Sequence, residues 1–166
     1  MNEVLKVLYF AYVRSVMEYP VWSPHYEYQK KLLESVQHRF LKFLAFKTKQ
    51  QIPNHDYKAI EKTHNIINLE ARRQIYDLTF LHKIINNEIH SSDLLSDIHI
   101  KIPSRQTRNK ATFELKKHRN NLGEYATLHR CQKLWNLASV RGVDVFANNT
   151  SNILNLLDCE NFPFTI

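Results

Sequence analysis

The basic side chains of this sequence form two groups whose spacing suits contact with the phosphates of a nucleic acid. One group follows a single line along a predicted helix over 26–48, at about 100° of rotation per residue. Its members are Lys31, His38, Lys42 and Lys49, with Arg39 beside the line. The other group lies in a polar segment over 105–119 and comprises Arg105, Arg108, Lys110, Lys116, Lys117 and Arg119. Such rows neutralise backbone phosphates and give affinity without selectivity for base sequence.

The net charge is distributed in the same way. The 166 residues contain 23 lysines and arginines against 16 aspartates and glutamates, a net charge of +7. Residues 1–63 contribute +4 and 99–141 contribute +8, whereas 64–98 and 142–166 are acidic. Clustered positive charge favours a polyanionic partner, RNA or DNA above all. A solvated surface remains the alternative, since every amphipathic helix presents polar side chains to water.

The spacing of the histidines, cysteines and aspartates gives little support for a metal site or a catalytic nucleophile. None of the nine histidines forms a His-x-x-x-His pair, and His129 with Cys131 supplies only two ligands of a zinc site. Asp93 and Asp97 lie four residues apart at the end of a short turn, where capping and solvation explain them. We therefore predict no catalytic residue, metal or cofactor in this chain.

Glycine and cysteine are too scarce for several other classes of site. Gly123 and Gly142 are the only glycines, so phosphate-binding loops, dinucleotide-binding loops and the nucleophile turn of hydrolases are excluded. Cys131 and Cys159 cannot form a disulfide framework. Cys131 falls on the apolar face of a predicted helix, which indicates packing rather than reactivity.

Hydrophobic periodicity predicts a mainly α-helical bundle of four or five helices. Apolar residues recur at helical spacing over 3–19, 26–48, 57–63, 69–88 and 124–141. The helix over 26–48 is expected to bury Leu32, Leu33, Val36, Phe40, Phe43 and Leu44. Alternating isoleucines from position 98 indicate one short strand pair around 98–118. We predict a helical domain over 1–141, with a sub-boundary near 98–120, and a polar tail over 142–166 containing a weak helix.

Two features point to partners other than nucleic acid. The predicted helix over 69–88 has two apolar stripes, and residues 19–22 combine two aromatic rings with a proline. A protein-interaction module, or an inert helical gene fragment, is therefore the alternative function. No segment is long and uncharged enough to span a bilayer, and Glu3 and Lys6 interrupt the first apolar run. We expect no membrane partner and an intracellular location, in the nucleus or the cytoplasm.

An ordered set of short segments resembles one known family. The most specific covers residues 33–41, LESVQHRFL, which fits the pattern Leu-Glu-x-Val-Gln-x-Arg-Phe-Leu. The others are residues 5–9, 12–19, 21–24, 68–73, 77–78, 83–86, 102–105, 121–125 and 130–136. Together they resemble the region that follows the catalytic palm in reverse transcriptases of jockey-type non-LTR retrotransposons.

The resemblance implies a thumb and C-terminal region of an RNA-directed DNA polymerase, a helical bundle that grips the template–product duplex by its backbone. The family's catalytic aspartates belong to the palm, which precedes this segment, and they are not in this chain. The resemblance thus implies a truncated copy or fragment of a transposable element without activity of its own. Divalent metal is expected only in an intact polymerase. We also expect self-association through the surface that would face the palm, with Val4 and Tyr9 exposed there.

Overall fold

The computed structural model describes residues 2–18, 23–50, 52, 56–102, 111–140, 142–143 and 145–146. These residues are mainly helical, which confirms the predicted fold class. The helices are α1 (Asn2–Tyr9), α2 (Ser15–Met17), α3 (Glu27–Thr48), α4 (Lys58–His64), α5 (Leu69–Ile85), α6 (Ser92–Ser96), α7 (Asn121–Glu124) and α8 (Thr127–Val140). A π-helical turn, Phe10–Arg14, joins α1 directly to α2, and the three segments together are called the N-terminal helix.

The chain forms two compact units, residues 1–73 and 74–166, and the boundary falls inside α5. The predicted division into 1–141 and 142–166 stays a prediction, because most of the tail lies outside the described residues. The weak helix predicted in that tail and the aromatic corner at 19–22 also lie outside them.

The π turn lets the N-terminal helix bury two residues that an α-helix would separate. Tyr9 and Arg14 lie five residues apart, about 140° in a regular α-helix, yet both are buried. The wider i→i+5 turn between them accommodates one extra residue and brings both to the same side. The Tyr9 ring stacks on Phe40 with 3.8 Å between ring centroids. The expectation that Tyr9 is exposed was therefore wrong, whereas Val4 is exposed as expected.

Helix α3 buries part of the predicted apolar face and extends the buried side beyond it. Of the six residues expected inside, Leu44 is fully buried and Leu33, Val36 and Phe40 are partly buried, whereas Leu32 and Phe43 are exposed. The fully buried positions also include Gln37 and Leu41, and the centre of the fully buried side lies roughly 100° from the centre of the predicted face. Gln37 can occupy the interior because its amide donates to Glu61 Oε1 and to the Ile67 carbonyl, both at 3.3 Å. Leu41, Leu44 and Ala45 pack there with Tyr57, Ile60 and Ile66.

Helix α5 begins as predicted. The Asn68 side chain accepts a hydrogen bond from the Ala71 amide at 2.7 Å and so caps the first turn. In the first unit, Leu69 packs with Tyr9 and Met17. Buried residues follow on several faces of α5, and His82 is among them.

The second unit has its core around α8. Trp135 is fully buried, and its indole N–H donates to the Leu78 carbonyl at 3.0 Å. Cys131 packs in the same cluster, and burial raises the pKa of its thiol well above the ordinary value. A thiol that is buried and protonated is a poor nucleophile, which confirms its predicted packing role.

The extended segments around 98–118 pair over a shorter stretch than predicted. Ile100 and Phe113 form a single antiparallel bridge, with Lys101 N–H donating to the Thr112 carbonyl at 2.9 Å. The Asn136 amide holds the Phe113 backbone at both N–H and C=O, at 2.8 and 2.9 Å. Within the described segments 98–102 and 111–118, one bridge therefore stands where a strand pair was predicted.

Candidate nucleic-acid interface

Three of the predicted cations project from the exposed side of α3. Lys31, Arg39 and Lys42 are all solvent-exposed, as their predicted position on the back of the helix requires. Among the described residues, none of the three lies within ion-pair distance of a carboxylate. Their charges are therefore available to an external anion.

Lys49 follows the helix rather than lying on it. It is the C-terminal cap of α3 and adopts a left-handed backbone with φ of 55°. Glycine commonly takes this position, but a chain with two glycines must use other residues at most helix ends. Lys49 is exposed at the end of the predicted row.

His38 differs from its neighbours in both contact and charge. Its ring is only half-exposed and stacks on Tyr57, with 4.1 Å between centroids and 13° between planes. Burial, and then the positive charge of Lys42, lowers the pKa of His38 below its ordinary value. The imidazole is thus neutral at pH 7 and adds little positive charge to the row.

Aromatic side chains lie among these cations, and the sequence reasoning missed them. Tyr28 is 69% exposed and Phe46 is 79% exposed. Tyr28 and Phe46 are 18 residues apart, which is five full turns, so they point in the same direction from the helix axis. Tyr28 is three residues from Lys31, so both rings lie about 60° from Lys31 around the axis. We call Tyr28, Lys31, Arg39, Lys42 and Phe46 the cation–aromatic face of α3. Cations that meet phosphates and aromatic rings that stack on bases are the combination found where proteins bind unpaired strands.

A cleft of about 340 Å³ adjoins this face and has a mixed lining. Lys30, on its wall, is held by Glu27 at 3.2 Å and Glu70 at 3.1 Å. Glu34 and Glu61 also line the cleft, and burial is the main cause that raises the pKa of each. These carboxylates make the interior of the cleft unfavourable for phosphate, and Lys31 of the cation–aromatic face lies on its edge.

One consequence concerns stability and pH. Burial, and then repulsion by Glu61, raises the pKa of Glu34, so the folded protein holds this proton more tightly than the unfolded chain. The proton is lost as pH rises through the folded pKa, and the stability that it gave is lost with it. We expect Glu34→Gln to reduce the loss of stability between pH 5 and pH 7.5, measured by urea unfolding. The exposed Glu88→Gln provides the matched control, and equal pH dependence in wild type and Glu34→Gln would contradict the assignment.

The second basic group is only partly within the described residues. Lys116, Lys117 and Arg119 are exposed, and Lys116 Nζ lies 3.4 Å from an Asp97 carboxylate oxygen. The other three predicted members, Arg105, Arg108 and Lys110, lie outside the described residues. This group belongs to the second unit, whereas the cations of α3 belong to the first.

Comparison with known proteins gives no relative: no family model, no curated protein and no solved structure matches this chain. Among the residues that the structure describes, no three histidine, cysteine or carboxylate side chains cluster as metal ligands. None of the described helices is long and apolar enough to cross a membrane.

Proposed function

We propose that this chain binds RNA or DNA through the cation–aromatic face of α3, as the thumb-like remnant of a mobile-element reverse transcriptase. The observation that carries the proposal is the exposure of Lys31, Arg39 and Lys42 without ion-pair partners among the described residues. The family assignment rests on the short ordered segments quoted above, of which 33–41 lies on α3 itself.

The spacing of the two outer lysines fits a nucleic-acid backbone. Lys31 and Lys42 are eleven residues apart, which is about 16 Å of helix rise and about 20° of rotation. That rise is close to the axial length of roughly five base pairs at 3.4 Å along one strand. One α3 helix can therefore contact several phosphates of the same strand.

The proposal does not include polymerase chemistry. In the intact family the palm aspartates and a divalent metal carry out DNA synthesis. The residues of this chain would contribute only to binding the nucleic-acid backbone. An intracellular location, nuclear or cytoplasmic, is part of the same proposal.

The direct test is fluorescence anisotropy of a labelled RNA–DNA hybrid titrated with the 166-residue protein across a salt series. Binding whose log affinity falls linearly with log salt supports phosphate contact, and the slope estimates how many phosphates are neutralised. A folded, monodisperse protein that shows no binding at low salt would overturn the proposal.

The aromatic rings make a separate prediction about strand type. We expect Phe46→Ala and Tyr28→Ala each to weaken binding of a single-stranded oligonucleotide by roughly 5- to 150-fold, because stacking on one base contributes about 1–3 kcal/mol. Binding of a duplex of the same length should change little, since its bases are already stacked. Leu122→Ala, at an exposed apolar position of the second unit, is the control. Equal losses for single strand and duplex would assign both rings to general packing.

A protein-interaction role is the second candidate, and a specific observation favours it. The N-terminal helix exposes apolar side chains along most of its length, including Val4, Val7 and Tyr12. An exposed apolar surface of this extent is typical of interaction sites in soluble proteins.

A further inference from the structure

Five apolar side chains of the N-terminal helix are 48% to 76% exposed, and they are Val4, Val7, Leu8, Tyr12 and Val16. Together they define what we call the N-terminal apolar face. The opposite side of the same helix packs against the rest of the first unit through Tyr9 and Met17. The helix therefore has one side that is buried in the core and another side whose apolar residues face water.

The π turn aligns this face into one straight stripe. Val4 and Val16 are twelve residues apart, which would rotate them by about 120° in a regular α-helix. Because the π turn accommodates one additional residue, the rotation falls to about 20°. Leu8 and Tyr12 lie between them at intervals of four residues. The turn that buries Arg14 thus also lines up the exposed apolar residues.

The stripe is symmetric about its midpoint at Phe10. In an antiparallel pairing with a second copy, Val4 lies opposite Val16 of the second copy, and Leu8 lies opposite Tyr12 of the second copy. A two-fold interface requires this, since the same patch must contact itself with the chain direction reversed.

No unpaired charge opposes such a pairing among residues 3–18. Glu3 and Lys6 form an ion pair at 3.0 Å within one turn. Arg14 and Glu18 are buried against each other on the inner side. Association would therefore not bury an unpaired charge in the interface, and it avoids the free-energy cost of doing so.

The area suits a reversible dimer. Covering the five side chains removes roughly 500 Å² per copy, against about 800 Å² per partner in a standard stable interface. Ala11, which is also exposed on this helix, would add a little to this area. An interface below the standard size is typical of weak, reversible association.

We propose that two copies of this chain associate through their N-terminal apolar faces, as an antiparallel helix pair with its two-fold axis at Phe10. This surface is separate from the cation–aromatic face of α3, and the proposal does not depend on nucleic-acid binding.

The proposal is tested by sedimentation velocity at protein concentrations from 5 to 200 µM. The wild type is compared with variants that carry a charge at position 4, at position 16 or at both. Wild type is expected to shift from monomer to dimer across this range. Val4→Glu alone and Val16→Lys alone should each weaken dimerisation at least tenfold, since each places a charge against valine. The double variant Val4→Glu/Val16→Lys should recover dimerisation, because each glutamate then meets a lysine of the second copy. Within one chain the two positions are about 18 Å apart, too far to pair.

Each outcome decides between arrangements. Circular dichroism of every variant verifies folding, and Leu122→Glu, at an exposed position of the second unit, controls for added charge. Recovery in the double variant supports the antiparallel pair. Folded single variants with no recovery in the double variant would overturn it, and so would a wild type that stays monomeric at 200 µM, which would leave the face to a different partner.

Discussion

Reversing both outer charges of the cation–aromatic face, Lys31→Glu with Lys42→Glu, is expected to weaken binding of an RNA–DNA hybrid by about 100-fold at 50 mM salt. Each substitution removes a phosphate contact and adds a repulsion, at a cost of roughly 1–1.5 kcal/mol per site. The salt dependence should change as well, with the slope of log affinity against log salt becoming shallower by about two. Anisotropy titrations at four or more salt concentrations measure both quantities.

The matched control reverses two lysines that lie outside the cleft next to α3. Lys62 and Lys101 are both exposed, so Lys62→Glu with Lys101→Glu makes the same change in net charge. We expect the control pair to reduce affinity only slightly, through the long-range field of the protein. Equal losses in the two double variants would show that overall charge, and not this face, attracts the nucleic acid.

The largest expected effect on stability comes from Asp77→Ala in the second unit. Arg130 binds Asp77 through two nitrogen atoms, Nε at 2.7 Å and a terminal nitrogen at 2.9 Å. The Asp77 side chain is 2% exposed and that of Arg130 is 12% exposed. Removing the carboxylate leaves a buried guanidinium without this compensating charge, and we expect the free energy of unfolding to fall by about 3–5 kcal/mol.

Removing both charges together distinguishes the effect of the Asp77–Arg130 ion pair from the effect of the packing around it. Asp77→Leu with Arg130→Met replaces the ion pair by apolar groups of similar size, and most of the lost stability should return. Urea unfolding of the wild type, both single variants and the double variant measures the coupling between the two positions. A double variant as unstable as the two singles combined would show that the loss comes from disrupted packing rather than from an uncompensated charge.

Local signals in the sequence predicted local structure well. The helix predicted over 69–88 begins at Leu69 in the structure, after Asn68, a residue type that favours helix capping. Glycine favours the residue after a helix, and Gly142 follows α8. In the structure Gly142 has φ of 87°, and its amide donates to the Ser139 carbonyl at 3.0 Å. These features depend on the residue type at one position and on its immediate neighbours, so the sequence contains what is needed to predict them.

Features that depend on tertiary partners were not predictable in the same way. The burial of Gln37 on α3 depends on hydrogen bonds to Glu61 and Ile67, which come from later parts of the chain. Periodicity assigned the interior to apolar residues alone and so placed Phe43 inside. Helical spacing also placed His38 among the cations, but its stacking on Tyr57 depends on where the segment before α4 returns to α3. The aromatic part of the candidate site was missed for the same reason, since Tyr28 and Phe46 are recognisable only after the buried side is known.

The π turn at Phe10–Arg14 has a consequence for changes in chain length. Because the turn accommodates one extra residue, deleting one residue between positions 10 and 13 would leave a regular α-helix in which Tyr9 and Arg14 are four positions apart, about 40° of rotation. Tyr9 could then stay stacked on Phe40 while Arg14 keeps its hydrogen bond to the Ile67 carbonyl. Inserting a residue there would instead add about 100° of rotation between the two contacts. We therefore expect a single-residue deletion in this segment to be tolerated better than a single-residue insertion.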